Sequence, residues 1–166
     1  MRISRFLSIF LLSTIFLGCS NIQGKQEKNA IGEKSKTEAN KSIAPEHLTY
    51  ETFLKKVWNF EKHPKEWVYE GTEPCVIDFY ADWCGPCKRV APIMEEMANK
   101  YKGKVKIYKI NVDKEQKLAA VFQIRSIPAV LFSPMKGKPM MQVGLLPKNS
   151  YINIINTQLL HVKEKK

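Results

Sequence analysis

Two cysteines at C-x-x-C spacing, in the run Trp83-Cys84-Gly85-Pro86-Cys87, constrain this chain more than any other feature, because thiols so placed can close on each other. The preceding run, Val76-Ile77-Asp78-Phe79-Tyr80, is apolar, of strand length and rich in β-branched and aromatic residues, the pattern of a strand buried on both faces. After the cysteines, Val90, Ile93, Met94, Met97, Ala98 and Tyr101 recur at helical spacing, with Lys88, Arg89, Glu95, Glu96 and Lys100 between them. The thiols therefore occupy a strand-to-helix turn. If the helix begins at Cys84, that sulfur lies at the positive end of the macrodipole, near unpaired N–H groups, and its thiolate is stabilised. Cys84 is then the attacking thiol. Cys87, about one turn further on, is the more enclosed and resolves the mixed disulfide. The spacing alone also fits half of a zinc site.

Further along, Ser126-Ile127-Pro128-Ala129-Val130 places a proline at the mouth of another apolar run. A proline inside a strand forfeits a ladder bond, so Pro128 marks a strand start or a cis bond. The run VIDFYADWCGPCK, then KINVD from Lys109 to Asp113, IRSIPAVLF from Ile124 to Phe132, and Gly144 after a Met-Met-Gln-Val strand resemble thioredoxin in order and spacing, over residues 48 to 162. The chain is also similar to the periplasmic thioredoxins of bacteria, which carry such a domain behind an export signal. The resemblance implies an α/β thioredoxin fold, with a central mixed β-sheet of roughly four to five strands flanked by about four helices.

The resemblance also assigns roles. Trp83 shields one side of the motif, while Gly85 and Pro86 set the active-site turn, proline at an early helical position losing no useful donor. Gly-Pro between the cysteines resembles reducing members of the family rather than oxidases, which often carry a histidine there. Asp78 is an ionisable group in an apolar strand, costly without a partner or a task. By resemblance it is the carboxylate beneath Cys87, its pKa raised by burial so that it accepts the Cys87 proton through water. Lys109 matches the lysine that approaches this carboxylate and moderates the shift; a purely structural Asp78–Lys109 pair is the competing reading. Pro128 matches the family's cis-proline and leaves the Ile127 backbone free to pair with an extended client segment. Tyr80, Trp83, Ile127, Pro128 and Gly144 then line a groove for disulfide-containing client proteins. No cofactor is implied. His47, His63 and His161 are scattered without ligand spacing, so a metal at Cys84 and Cys87 is disfavoured. Cys75 reads as a small buried hydrophobe rather than a third redox group.

Thr49 is the expected N-cap of a first helix carrying Tyr50, Phe53, Leu54, Val57 and Trp58. Pro45 interrupts an earlier strand. Residues 59 to 74 form a long connection whose Trp67 and Tyr69 pack locally over the sheet edge, the alternative being an extended client surface. The periodicity predicts a strand over 105–112, a short helix over 118–122, a strand over 127–132, a turn over 134–139, a strand over 140–143 and a final helix over 151–160.

The first five residues carry Arg2 and Arg5, and residues 6 to 17 are almost wholly apolar but too short to span a bilayer, which reads as a signal peptide over 1–18. Phe16-Leu17-Gly18-Cys19 resembles a bacterial lipobox, with Phe16 and Leu17 departing from its usual residues; Cys19 is then a lipid anchor. Ordinary cleavage nearby leaves Cys19 a free thiol instead. Residues 19–45 lack an apolar period and read as a flexible tether, leaving 46–166 as one folded domain. This places the protein in the bacterial cell envelope, on the periplasmic side, held to the membrane and re-reduced by an envelope electron donor. The net charge is +11, or +9 without residues 1–18. The lysines are dispersed and form no aromatic-basic stripe, so no nucleic-acid partner is expected, and a monomer is the default. The expected function is thiol-disulfide exchange in the reducing direction. Isomerisation, oxidation or delivery of apocytochrome thiols are enzyme alternatives, and a non-catalytic envelope binding module is the alternative outside enzymes.

Overall fold

A computed structural model describes residues 42–162; the expected signal peptide, Cys19 and most of the expected tether lie outside the described residues. The elements follow in the order β1 (Glu46–His47), α1 (Tyr50–Lys56), β2 (Cys75–Tyr80), α2 (Gly85–Lys100), β3 (Lys106–Asn111), α3 (Gln116–Val121), β4 (Ala129–Ser133), β5 (Met140–Val143) and α4 (Lys148–Ile154), which runs into a π-helical turn over Ile155–Leu159. The five strands form one mixed sheet in the order β1-β3-β2-β4-β5. β1 and β2 run parallel to β3, whereas β4 lies antiparallel to β2 and to β5. Parallel neighbours cannot be joined by a hairpin, so α2 serves as the crossover between β2 and β3.

Alternation along each strand sends two sets of side chains to two helical layers. Val76, Val130 and Phe132 meet Val90, Met94 and Met97 of α2, together with Tyr151 and Ile155. On the other face Ile77, Phe79, Tyr108 and Ile110 meet Phe53 and Val57 at α1 and Leu118 of α3. The central strand is buried through Phe79, which explains its continuous apolar run. Asp78 is the polar exception in it, 3% exposed.

The predicted elements are present, with shifted ends. Thr49 caps α1 through a reciprocal box: its hydroxyl accepts from the Thr52 N–H, and the Thr52 hydroxyl accepts from the Thr49 N–H. The strand predicted over 105–112 ends earlier, at Asn111, whose side chain accepts from the Asp113 N–H and turns the chain. The strand predicted from Ile127 begins at Ala129, because the preceding Ile127-Pro128 peptide is cis and lies outside the ladder. The last helix starts at Lys148 rather than Tyr151 and loosens after Ile154, where the Leu160 N–H donates to the Ile155 carbonyl. An apolar stripe does not distinguish such a turn from a regular α-turn. Trp67 packs against Trp58 and Phe122, and Trp58 also bridges to Tyr69, so both aromatics of the long connection belong to local packing.

Candidate active site

The strand-to-helix turn after β2 is built by Cys84 itself. Its backbone is extended, and its sulfur accepts from the Cys87 N–H at 3.2 Å, so the residue serves as N-cap of α2 with Pro86 in the first turn. Cys84 and Cys87 are joined as a disulfide, with Cα atoms 5.3 Å apart. Both are almost fully buried by Ala81, Tyr80, Val112 and Ile127. The helix N-terminus supplies donors and positive potential where a thiolate would form on reduction.

Beneath α2 lies a row of polar residues. Asp78 and Tyr80 of β2 share a sheet face with Val76, which packs on α2, and pair in register with Lys109 and Asn111 of β3. Burial pushes the Asp78 carboxyl up to about 7, an increase held back by the positive charge of Lys109. Asp78 Oδ1 is buried without a hydrogen-bond partner, and so is the Nδ2 of Asn111. An unpartnered acceptor of this kind can take a proton. Lys109 forms no ion pair within 4.0 Å among the described residues; its ammonium lies over the Tyr80 ring, 5.9 Å from the centroid.

The mouth of the site is apolar and open. Trp83 is 70% exposed, and its indole N–H donates to Asp113 Oδ2 at 2.9 Å. Trp83, Val112, Ile124, Arg125, Ser126 and Ile127 line a cleft of about 280 Å³ beside the dithiol. Gly144, at a positive φ that favours glycine, donates its N–H to the Pro128 carbonyl at 2.8 Å and ties the end of β5 to the cis-proline loop. Tyr80 packs against the dithiol and against His47 instead of lining this cleft.

Sequence reasoning did not single out Asp113 as the partner of Trp83, nor Val143, which pairs with Ala129 and is 59% exposed beside Gly144. Asp113 lay within the KINVD run, but nothing local connects it to a side chain thirty positions earlier. Among the described residues no group of three or more His, Cys, Asp or Glu could hold a metal ion. None of their helices is long and apolar enough to cross a membrane.

A cysteine pair capping a helix at the end of a mixed sheet, with a cis-proline on the loop tied back to the neighbouring strand, defines a thiol-disulfide oxidoreductase. The chain belongs to the thioredoxin family, whose profile, described as Thioredoxin, matches residues 53–157. It is 44% identical over 108 residues to a thioredoxin of Borreliella burgdorferi, covering 65% of this chain and 92% of that protein. The thioredoxin of Haemophilus influenzae is 46% identical over 86 residues, with 52% of this chain and 80% of that protein covered. Among solved structures, chloroplastic thioredoxin z superposes with a TM-score of 0.56 at 25% identity, covering 69% of this chain and 94% of that one. Thioredoxins act on disulfide-containing protein substrates, and thiol-disulfide exchange is the activity of this chain.

Proposed function

We propose that this protein is a disulfide reductase of the bacterial cell envelope, tethered on the periplasmic side through a lipid on Cys19 and the segment that follows it. Cys84 thiolate attacks a client disulfide, forming a mixed disulfide and releasing one client thiolate. Cys87 passes its proton to Asp78 and attacks the Cys84 sulfur, which closes the Cys84–Cys87 disulfide and releases the second client thiolate. The client gains two electrons, and an envelope dithiol donor restores the pair. Lys109 moderates the Asp78 charge, and the cleft beside Trp83, with Ile127, Pro128 and Gly144, receives an extended client segment.

The observation that carries this reading is the Cys84–Cys87 pair at the N-terminus of α2, with the buried, unpartnered Asp78 on the sheet face that packs beneath that helix. The reducing direction is supported by Gly-Pro between the cysteines, which adds no further stabilisation to the thiolate form. Equilibration of a soluble Cys19→Ser protein against glutathione or dithiothreitol buffers tests it. A potential of about −270 mV agrees with a reductant; one of about −120 mV makes the protein an oxidant or isomerase.

A further inference from the structure

The chain enters the folded domain at the end of the sheet away from the dithiol. The Ile43 N–H donates to Asn99 Oδ1 at 2.9 Å, and Asn99 Nδ2 donates to the Ile43 carbonyl at 3.1 Å. These bonds pin the first described residues to the last turn of α2. That helix has 16 residues, so the attachment lies about 24 Å along its axis from Cys84.

Strand pairing gathers two more loops at the same end. Cys75, at the start of β2, pairs with Lys106 at the start of β3 and with Ser133 at the end of β4. The α2–β3 turn and the β4–β5 tip are therefore neighbours of the attachment and not of the active site. The turn carries Lys102 and Lys104, the tip carries Lys136 and Lys138, and neither loop contains an acidic residue. All four lysines are exposed, and none is ion-paired among the described residues. Of the acids close to this end, Glu46 pairs with Lys56 and Glu73 lies 3.8 Å from Lys106, whereas Glu70, lining the same cavity as both, and Glu95, one turn before Asn99, are exposed and form no ion pair among the described residues. At the tip Met135, 44% exposed, stands beside Lys136.

We propose that this lysine-bearing end docks on an anionic lipid surface, so that the dithiol faces away from the bilayer at a distance of about one helix length. An excess of positive charge carried by two loops without an acidic residue gives the surface its partner, since anionic headgroups attract basic groups lying within a Debye length. The position of the attachment gives it an orientation: a membrane tether reaching residue 42 delivers this end to the bilayer first. An exposed methionine among lysines suits the boundary between headgroups and acyl chains. The orientation rests on the Cys19 anchoring reading; the lipid affinity of the lysines does not.

The test uses the chain from residue 19 onward with Cys19→Ser, so that no acyl group contributes. It is sedimented with vesicles of phosphatidylcholine alone and with vesicles containing phosphatidylglycerol, at low and at physiological salt. Expected is partition onto the phosphatidylglycerol vesicles only, weakened by salt and reduced at least tenfold by K102E/K104E/K136E/K138E with client reduction unchanged. Equal partition of that variant, indifference to phosphatidylglycerol, or no binding to either vesicle overturns the proposal; the lysines are then a solvated face or a site for an acidic protein. The orientation is read from the membrane-anchored full chain carrying Met135→Trp, whose added indole is quenched by brominated lipid while wild-type emission is not. Quenching of wild-type emission to the same degree overturns it. Mass analysis of Cys19 from membranes tests the anchor separately.

Discussion

Lys109 and Asp78 are register partners across β2 and β3, yet the Lys109 ammonium rests over the Tyr80 ring instead of touching the Asp78 carboxylate. Its charge reaches Asp78 through space, which leaves the effect of burial dominant and the carboxyl at about 7. The folded protein therefore holds a proton that the unfolded chain releases, between the ordinary 3.8 and about 7. Stability falls as pH rises through that window, because the native state must then ionise a buried group. Asp78→Asn removes this loss and is more stable than wild type at pH 8 by roughly 2–4 kcal/mol. Urea midpoints at pH 5 and pH 8 measure this; a fall in stability as large in the variant as in wild type rejects the assignment. Resolution of the mixed disulfide slows roughly 100-fold in the same variant, because asparagine accepts no proton.

Cys87→Ser is expected to accumulate a mixed disulfide between Cys84 and client, visible on a non-reducing gel and released by dithiothreitol. Cys84→Ser leaves no attacking thiol at the helix N-terminus, and client reduction falls to the uncatalysed rate. Retention of all biological function by Cys84→Ser would make the protein a binding module.

Trp83 is held by one hydrogen bond to Asp113 while most of its surface faces solvent. Asp113→Ala frees the indole to sample other rotamers. A bond worth about 1 kcal/mol predicts roughly a fivefold rise in KM for a protein disulfide with little change in kcat. A fall in kcat at constant KM would place Asp113 in the chemistry.

Gly71 packs beneath Tyr69, whose hydroxyl donates to the Glu73 carbonyl at 2.5 Å and occupies the space a Cβ at position 71 would need. Gly71→Ala is expected to cost roughly 1–3 kcal/mol by displacing that ring, and Tyr69→Phe in the same chain to recover part of the loss. Cys75 lies nearby, fully buried, and burial pushes its thiol up to about 12. In the oxidised Cys19→Ser protein Cys75 should resist thiol reagents and become reactive in Gly71→Ala; equal reaction rates would show that Tyr69 does not cover it.

The strand-turn-helix around Cys84, the capping of α1 by Thr49 and the turn between β4 and β5 were legible because each rests on residues adjacent in sequence. Periodicity of two or of 3.6, a capping hydroxyl and a proline position are local signals. Asp78 stood out for the same reason, as one acid in an apolar run. Strand pairing across long separations decided what the sequence could not express. It put Lys109 above Tyr80, joined Trp83 to Asp113, set Val143 opposite Ala129, and placed the chain's attachment a helix length from its thiols. A side chain's neighbours across a sheet depend on register and on which helix covers each face. Both are settled by the packing of the whole core and not by the residues on either side.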